Sequence, residues 1–112
     1  MIEQMFPFQR TDGPLMEKVV DRPDRVLIAH VVLPAGQATP RHATNADVHL
    51  IVVRGTLSLR LADEAVHDHP AGSVVAIPYG IQMEARSAGP EPLEFFAVKA
   101  PHPDAWPLKE NP

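Results

Sequence analysis

The sequence contains no cysteine. Disulfide staples, thiolate metal sites and a cysteine nucleophile are therefore excluded at the outset. Aromatic residues make up only 5% of the chain, so a core has to be built mainly from aliphatic side chains. No stretch approaches the ~18 apolar residues that a membrane-spanning helix needs. The opening MIEQMFPFQR lacks a basic start followed by a long apolar run, so no secretion signal is expected. Ten basic and fourteen acidic residues leave a net charge of −4. Both signs are scattered, and no basic patch is available for nucleic acid or an anionic membrane. A cytoplasmic protein with neither of those partners is the expectation.

Proline and glycine are plentiful instead, at 13 and 6 of 112 residues. Proline lacks an N–H and glycine supplies turn conformations, so both punctuate the chain and leave little room for long helices. The length suits one domain, and 45% hydrophobic residues is enough for a packed core. Residues 15–20 read as a short edge strand. From Arg25 onward strands are expected at 26–33, 48–53, 56–62, 65–68, 73–77, 81–86 and 93–100, separated by turns such as Pro34-Ala35-Gly36 and Pro70-Ala71-Gly72. Residues 56–62 alternate strictly, with Leu57, Leu59 and Leu61 on one face, which marks a half-buried strand. Seven or eight short strands without helices between them predict an all-β antiparallel sandwich or barrel. The expected division is an arm over about 1–25, a barrel over about 26–101 and a tail over 102–112.

Residues 26–33 (VLIAHVVL) and 48–53 (VHLIVV) are apolar on both faces. A two-layer sandwich standing alone shows one wet face. These strands therefore need a second cover, either the N-terminal segment or another copy of the chain, and a homodimer is expected.

The turn residues have a specific spacing. Gly36 is followed after five residues by His42 and later by Gly55, and Gly72 is followed after five by Pro78 and then by Gly80. With the stretch GTLSLRLADEAVHDHPAGSVVAIPYG between Gly55 and Gly80, this frame resembles the small single-domain cupins over about residues 26–101. The resemblance implies an all-β jelly-roll barrel, the double-stranded β-helix. It also implies a site inside the barrel, where the family's motifs place three histidines and a glutamate on a metal. Carried onto this sequence, the first histidine position is His42. The second is Thr44, the glutamate position is Val48, and the histidine of the second motif is Met83. A further position, asparagine in the family, is Ser87. Imidazole and carboxylate suit Fe, Mn, Ni, Zn or Cu, whereas valine has no lone pair and methionine favours Cu(I). One ligand in four remains.

The expected pocket is lined by His42, Thr44, Val48, Leu50 and Met83, with His42 as its polar anchor, and holds a small molecule without a standard metal centre. Such a pocket requires a cavity above ~100 Å³. The alternative is a metal-dependent enzyme of the dioxygenase or isomerase type. It would use a relocated Ni, Zn, Fe or Mn site at His42 and His49. Alternation points His49 outward if Val48 points inward, and a bulge would reverse this. A third reading is a dimerising interaction module.

The other histidines have plainer expectations. His30 faces outward as an interface residue, His67 and His69 are solvated loop residues flanking Asp68, and His102 has no evident role. Tyr79, Phe95, Phe96 and Trp106 read as core, with Trp106 packing down the tail. Asp47, Glu84 and Glu94 are the carboxylates nearest the expected pocket, and no pair has the spacing of a general acid and base.

Overall fold

The computed structural model describes residues 2–105. Nine strands make up two facing sheets. In chain order they are β1 (Leu15–Arg22), β2 (Val26–Leu33), β3 (His42–Ala43), β4 (Val48–Arg54), β5 (Thr56–Leu61), β6 (His67–Pro70), β7 (Val74–Ile77), β8 (Gln82–Ser87) and β9 (Leu93–Lys99). The larger sheet has the order β1-β2-β9-β4-β7 and the smaller β3-β8-β5-β6. All of the pairings are antiparallel.

β1 is an edge strand, as the sequence suggests, but it extends to Arg22 and joins the barrel sheet. The expected arm is thus in part barrel wall. The loop after Gly36 contains the two-residue β3, too short to show a periodicity. The return from the Asp63-Glu64 hairpin begins at His67 rather than Ala65. Trp106 lies outside the described residues, so its expected role in the tail is not addressed.

The core follows from side-chain alternation. Val48, Leu50 and Val52 on β4 point inward, as do Leu57 and Leu59 on β5 and Leu93, Phe95 and Ala97 on β9. They meet Val31 and Leu33 of β2 and Met83 and Ala85 of β8 to form one continuous aliphatic cluster. Gly55 makes the β4–β5 corner possible. Its φ is +76°, and a Cβ there would sit 2.4 Å from the Pro92 carbonyl oxygen, so no other residue fits without displacing backbone.

The larger sheet has a second cover, as its two-faced strands require. Part of it is the chain's own N-terminal segment. Phe8 lies edge-on against both His30 and Phe96, with ring centroids 5.0 Å apart in each case. Asp12 Oδ1 accepts from Arg54 Nη1 at 2.8 Å, and the Thr11 carbonyl accepts from Arg54 Nη2 at 2.7 Å. The cover is partial, because Val53 and Val74 remain exposed further along the same sheet.

Candidate functional site

Between the two sheets lies a cavity of about 180 Å³. The five residues of the expected pocket, His42, Thr44, Val48, Leu50 and Met83, all line it. Three strands and one loop bring them together. β4 supplies Val48 and Leu50, whose spacing of two puts them on one face. β8 supplies Met83, which pairs directly with His42 of β3. Thr44 follows in the loop.

Each of these side chains has a defined chemical state. The Nδ1 of His42 lies 2.9 Å from the Pro40 carbonyl. A carbonyl only accepts, so Nδ1 carries a proton. The Thr44 hydroxyl donates its single proton to the Pro78 carbonyl at 2.7 Å and accepts from the Ile81 amide at 2.9 Å. It ties the loop to the turn between β7 and β8 instead of facing a ligand. Val48 and Met83 are buried and offer no nitrogen or oxygen. Ser87 does not line the cavity; its hydroxyl faces the Glu91 carbonyl across the turn into β9 at 3.5 Å.

The relocated pair of His42 and His49 does not form. The β4 register runs without a break through His49, opposite Ala76 on one side and Val98 on the other. The bulge that could have turned it inward falls between Val52 and Arg54, beyond His49. His49 is exposed on the outer face, across the sheet from His42. Among the described residues no three histidine, aspartate or glutamate side chains converge on a common point. One imidazole, one committed hydroxyl, one valine and one thioether do not fit a divalent-ion centre.

The remaining lining is mostly aliphatic, with Ala29, Val31, Ala85 and Ala97 among it, and Phe95 is its one aromatic ring. Lys99 is the residue that the sequence reading missed. It lies on the inward phase of β9, which runs Leu93, Phe95, Ala97, Lys99, and it lines the cavity. A lysine in the apolar phase of a strand was the available signal. Its Nζ donates to Asn45 Oδ1 at 2.8 Å. Burial, followed by the nearby charge of Lys18, pulls its pKa below the ordinary lysine value. None of Asp47, Glu84 and Glu94 lines the cavity. Asp47 accepts from the Tyr79 amide at 2.9 Å, and Glu94 faces outward.

His30 is an intrachain clamp, not an exposed interface histidine. It is 0% exposed. Its Nδ1 lies 2.8 Å from Glu17 Oε2, its Nε2 2.7 Å from Glu94 Oε2, and its ring stacks on Phe96 at 4.7 Å. Both partners are acceptors, so the geometry suits an imidazolium donating from both nitrogens. Hydrogen bonding to His30, and then to the Gln9 amide, holds Glu17 below its ordinary carboxylate value. Arg54 continues the chain of charges. Its Nε is 3.2 Å from Glu94 Oε1 but is not aimed at it, and is left without a hydrogen bond. A larger and more open groove of about 760 Å³ lies here, between the N-terminal segment and the sheet. Arg54, Asp12 and Glu94 on its walls are already engaged with one another, so the smaller barrel cavity is the better candidate.

His102 also has a partner. It is buried, its Nε2 lies 2.7 Å from Asp21 Oδ1, and its Nδ1 accepts from the Asp104 amide at 3.0 Å. It clamps the chain after β9 onto β1. His67 and His69 are not loop residues. They lie on β6, pair with Leu59 and Leu57 of β5, and line a small hollow of about 120 Å³ with Glu64.

The chain is 38% identical to an uncharacterised protein of Methanocaldococcus jannaschii, over 100% of this chain and 97% of that one. A crystal structure of an RmlC-like cupin with a double-stranded β-helix fold from the same organism superposes at TM-score 0.87. It has 39% identity and covers 92% of this chain and 94% of that one. The chain belongs to the RmlC-like cupin family. No family model matches this cupin's sequence. A Klebsiella pneumoniae protein with a double-stranded β-helix domain matches the cupin at TM-score 0.72 and 23% identity, over 83% and 82% of the two chains. That likeness is one of fold. No helix among the described residues is long and apolar enough to cross a membrane.

Proposed function

We propose that this cupin binds a small organic molecule in the barrel and does so without the family's standard metal centre. The supporting observation is the cavity of about 180 Å³, which is apolar inside and carries His42 and Lys99 among its lining. It exceeds the ~100 Å³ threshold but falls below the ~300 Å³ at which drug-sized sites begin, so the ligand is small. The degenerate donor set supports the metal-free part of the reading, since one imidazole holds a divalent ion only weakly.

Native mass spectrometry and elemental analysis of untagged protein test this. A co-purifying organic molecule, absent from a cavity-filling Ala85→Leu variant, is the expected result. Stoichiometric Ni, Zn, Fe or Mn that disappears in His42→Ala would overturn it.

We also propose a homodimer formed through the open part of the larger sheet's outer face. Val53 and Val74 are 46% and 62% exposed there, beside half-buried Ile51. Exposed aliphatic side chains contiguous on a flat sheet favour self-association. Light scattering should report a dimer, and Val74→Glu should shift it to monomer. A monomeric wild-type protein would refute this. A cytoplasmic location belongs to the same proposal, and cell fractionation tests it.

A further inference from the structure

The ligand's chemical class follows from the way charge is arranged at Lys99, and this inference rests on the small-molecule reading above. Elsewhere the buried His30 lies between Glu17 and Glu94, and half-buried Arg54 meets Asp12 and Glu94. Half-buried Arg22 bonds the amide oxygen of Gln4, away from the cavity. Lys99 combines a neutral partner with a place on the cavity wall. Its hydrogen-bond partner is the neutral amide oxygen of Asn45, and the charged group acting on it is another cation, Lys18. Among the described residues it forms no ion pair, in a protein whose net charge is −4. The local excess of positive charge is therefore a property of this position, not of the composition.

A half-buried ammonium without a counter-ion is unfavourable unless something supplies the negative charge. Of its three N–H donors one is used by Asn45, and the others remain for a ligand. The space that Lys99 borders is apolar, lined by Val31, Leu50, Phe95 and Ala97. An anion with an apolar body satisfies both halves of the site. Size limits that body, because an apolar cavity of ~150 Å³ admits benzene, and this one is about 180 Å³.

We propose that the cavity receives a small monocarboxylate, its charged end on Lys99 Nζ and its short aliphatic or single-ring tail among the inward side chains of β2, β4 and β9. The carboxylate takes the position of the missing counter-ion.

The test uses the full-length protein and three matched probes: benzoate, benzyl alcohol and benzylamine. Calorimetry gives affinities, and amide chemical shifts at Val48, Phe95 and Lys99 locate the bound probe. Benzoate should bind about tenfold or more tighter than benzyl alcohol, the size of one charge-assisted hydrogen bond. Benzylamine should bind weakest. Lys99→Met should remove the benzoate preference and leave the alcohol's affinity within about twofold, while Lys99→Arg keeps the preference. Thermal unfolding of both variants checks that they fold. Equal binding of benzoate and benzyl alcohol, or a benzoate preference that survives in Lys99→Met, would overturn the carboxylate inference and leave the cavity-binding reading standing. Failure of every probe to bind in the cavity would overturn both.

Discussion

Replacing His30 with alanine tests the tertiary reading most directly. The side chain is 0% exposed, and it separates two carboxylates whose own side chains are 21% and 16% exposed. Breaking a fully buried pair costs about 3–5 kcal/mol because a charge is left stranded. Water reaches both glutamates here, so the lower half of that range applies. Loss of the stack on Phe96 and the edge contact with Phe8 adds about 1 kcal/mol. The expected loss is about 4–5 kcal/mol out of a total of about 5–15. Urea denaturation should show a lower midpoint with an unchanged slope, and the melting temperature should fall by roughly 15–20 °C for a domain of this size. Residues 2–12 should also become sensitive to protease, since Phe8 loses its seat. A His30→Ala/Glu94→Gln double-mutant cycle isolates the pair itself. If His30→Ala loses less than about 1 kcal/mol and instead weakens self-association, His30 is an interface residue and the intrachain clamp is wrong.

Further outcomes are expected elsewhere. Thr44→Val deprives the Pro78 carbonyl and the Ile81 amide of their partner and should destabilise the fold by about 1–3 kcal/mol in denaturant titrations; a neutral result would show that the hydroxyl is not the loop's anchor. Gly55→Ala should lose more than about 2 kcal/mol, because its Cβ meets backbone. Gly36→Ala, where φ is +83° but nothing lies within 4 Å, should lose only about 1 kcal/mol; equal losses would contradict the steric account. Glu17 is held below its ordinary value of 4.5, so its contribution is present above that value and is lost as pH falls through the lower, folded-state value. Hydrogen exchange at residues 8–12, corrected for intrinsic rates, should quicken in that acid window, and unchanged protection would count against the Glu17–His30 clamp.

How much of this protein can be read from the chain depends on the range of the interaction involved. Strand positions were legible because they rest on local properties, while the jelly-roll frame and the five lining residues followed from the resemblance to the small cupins. Side chains alternate along a strand, proline and glycine fix corners, and the turn spacing from Gly36 to Gly80 registers the strands. Lys99 was legible in principle, as a cation in the inward phase of β9, but alternation alone says nothing about which carboxylates lie near it. The two-residue β3 carries too few residues for any pattern to emerge.

Contacts between distant segments could not be read in this way. His30 meets Glu94 across 64 residues of sequence and His102 meets Asp21 across 81. Histidine on an outward face looks the same in sequence whether it is covered by its own chain, by a partner or by water. Likewise the side to which His49 points depended on where the β4 bulge falls, and that is set by pairing with β9. The sequence by itself determined the all-β architecture and the alternation of faces along its strands, because periodicity and turn geometry are written residue by residue. Only the tertiary structure decided that Phe8 and two glutamates enclose His30, that His42 and His49 stand on opposite sides of a sheet, and that Lys99 borders an apolar cavity with no ion pair among the described residues. Those are consequences of which segments the fold brings within a few ångströms of one another.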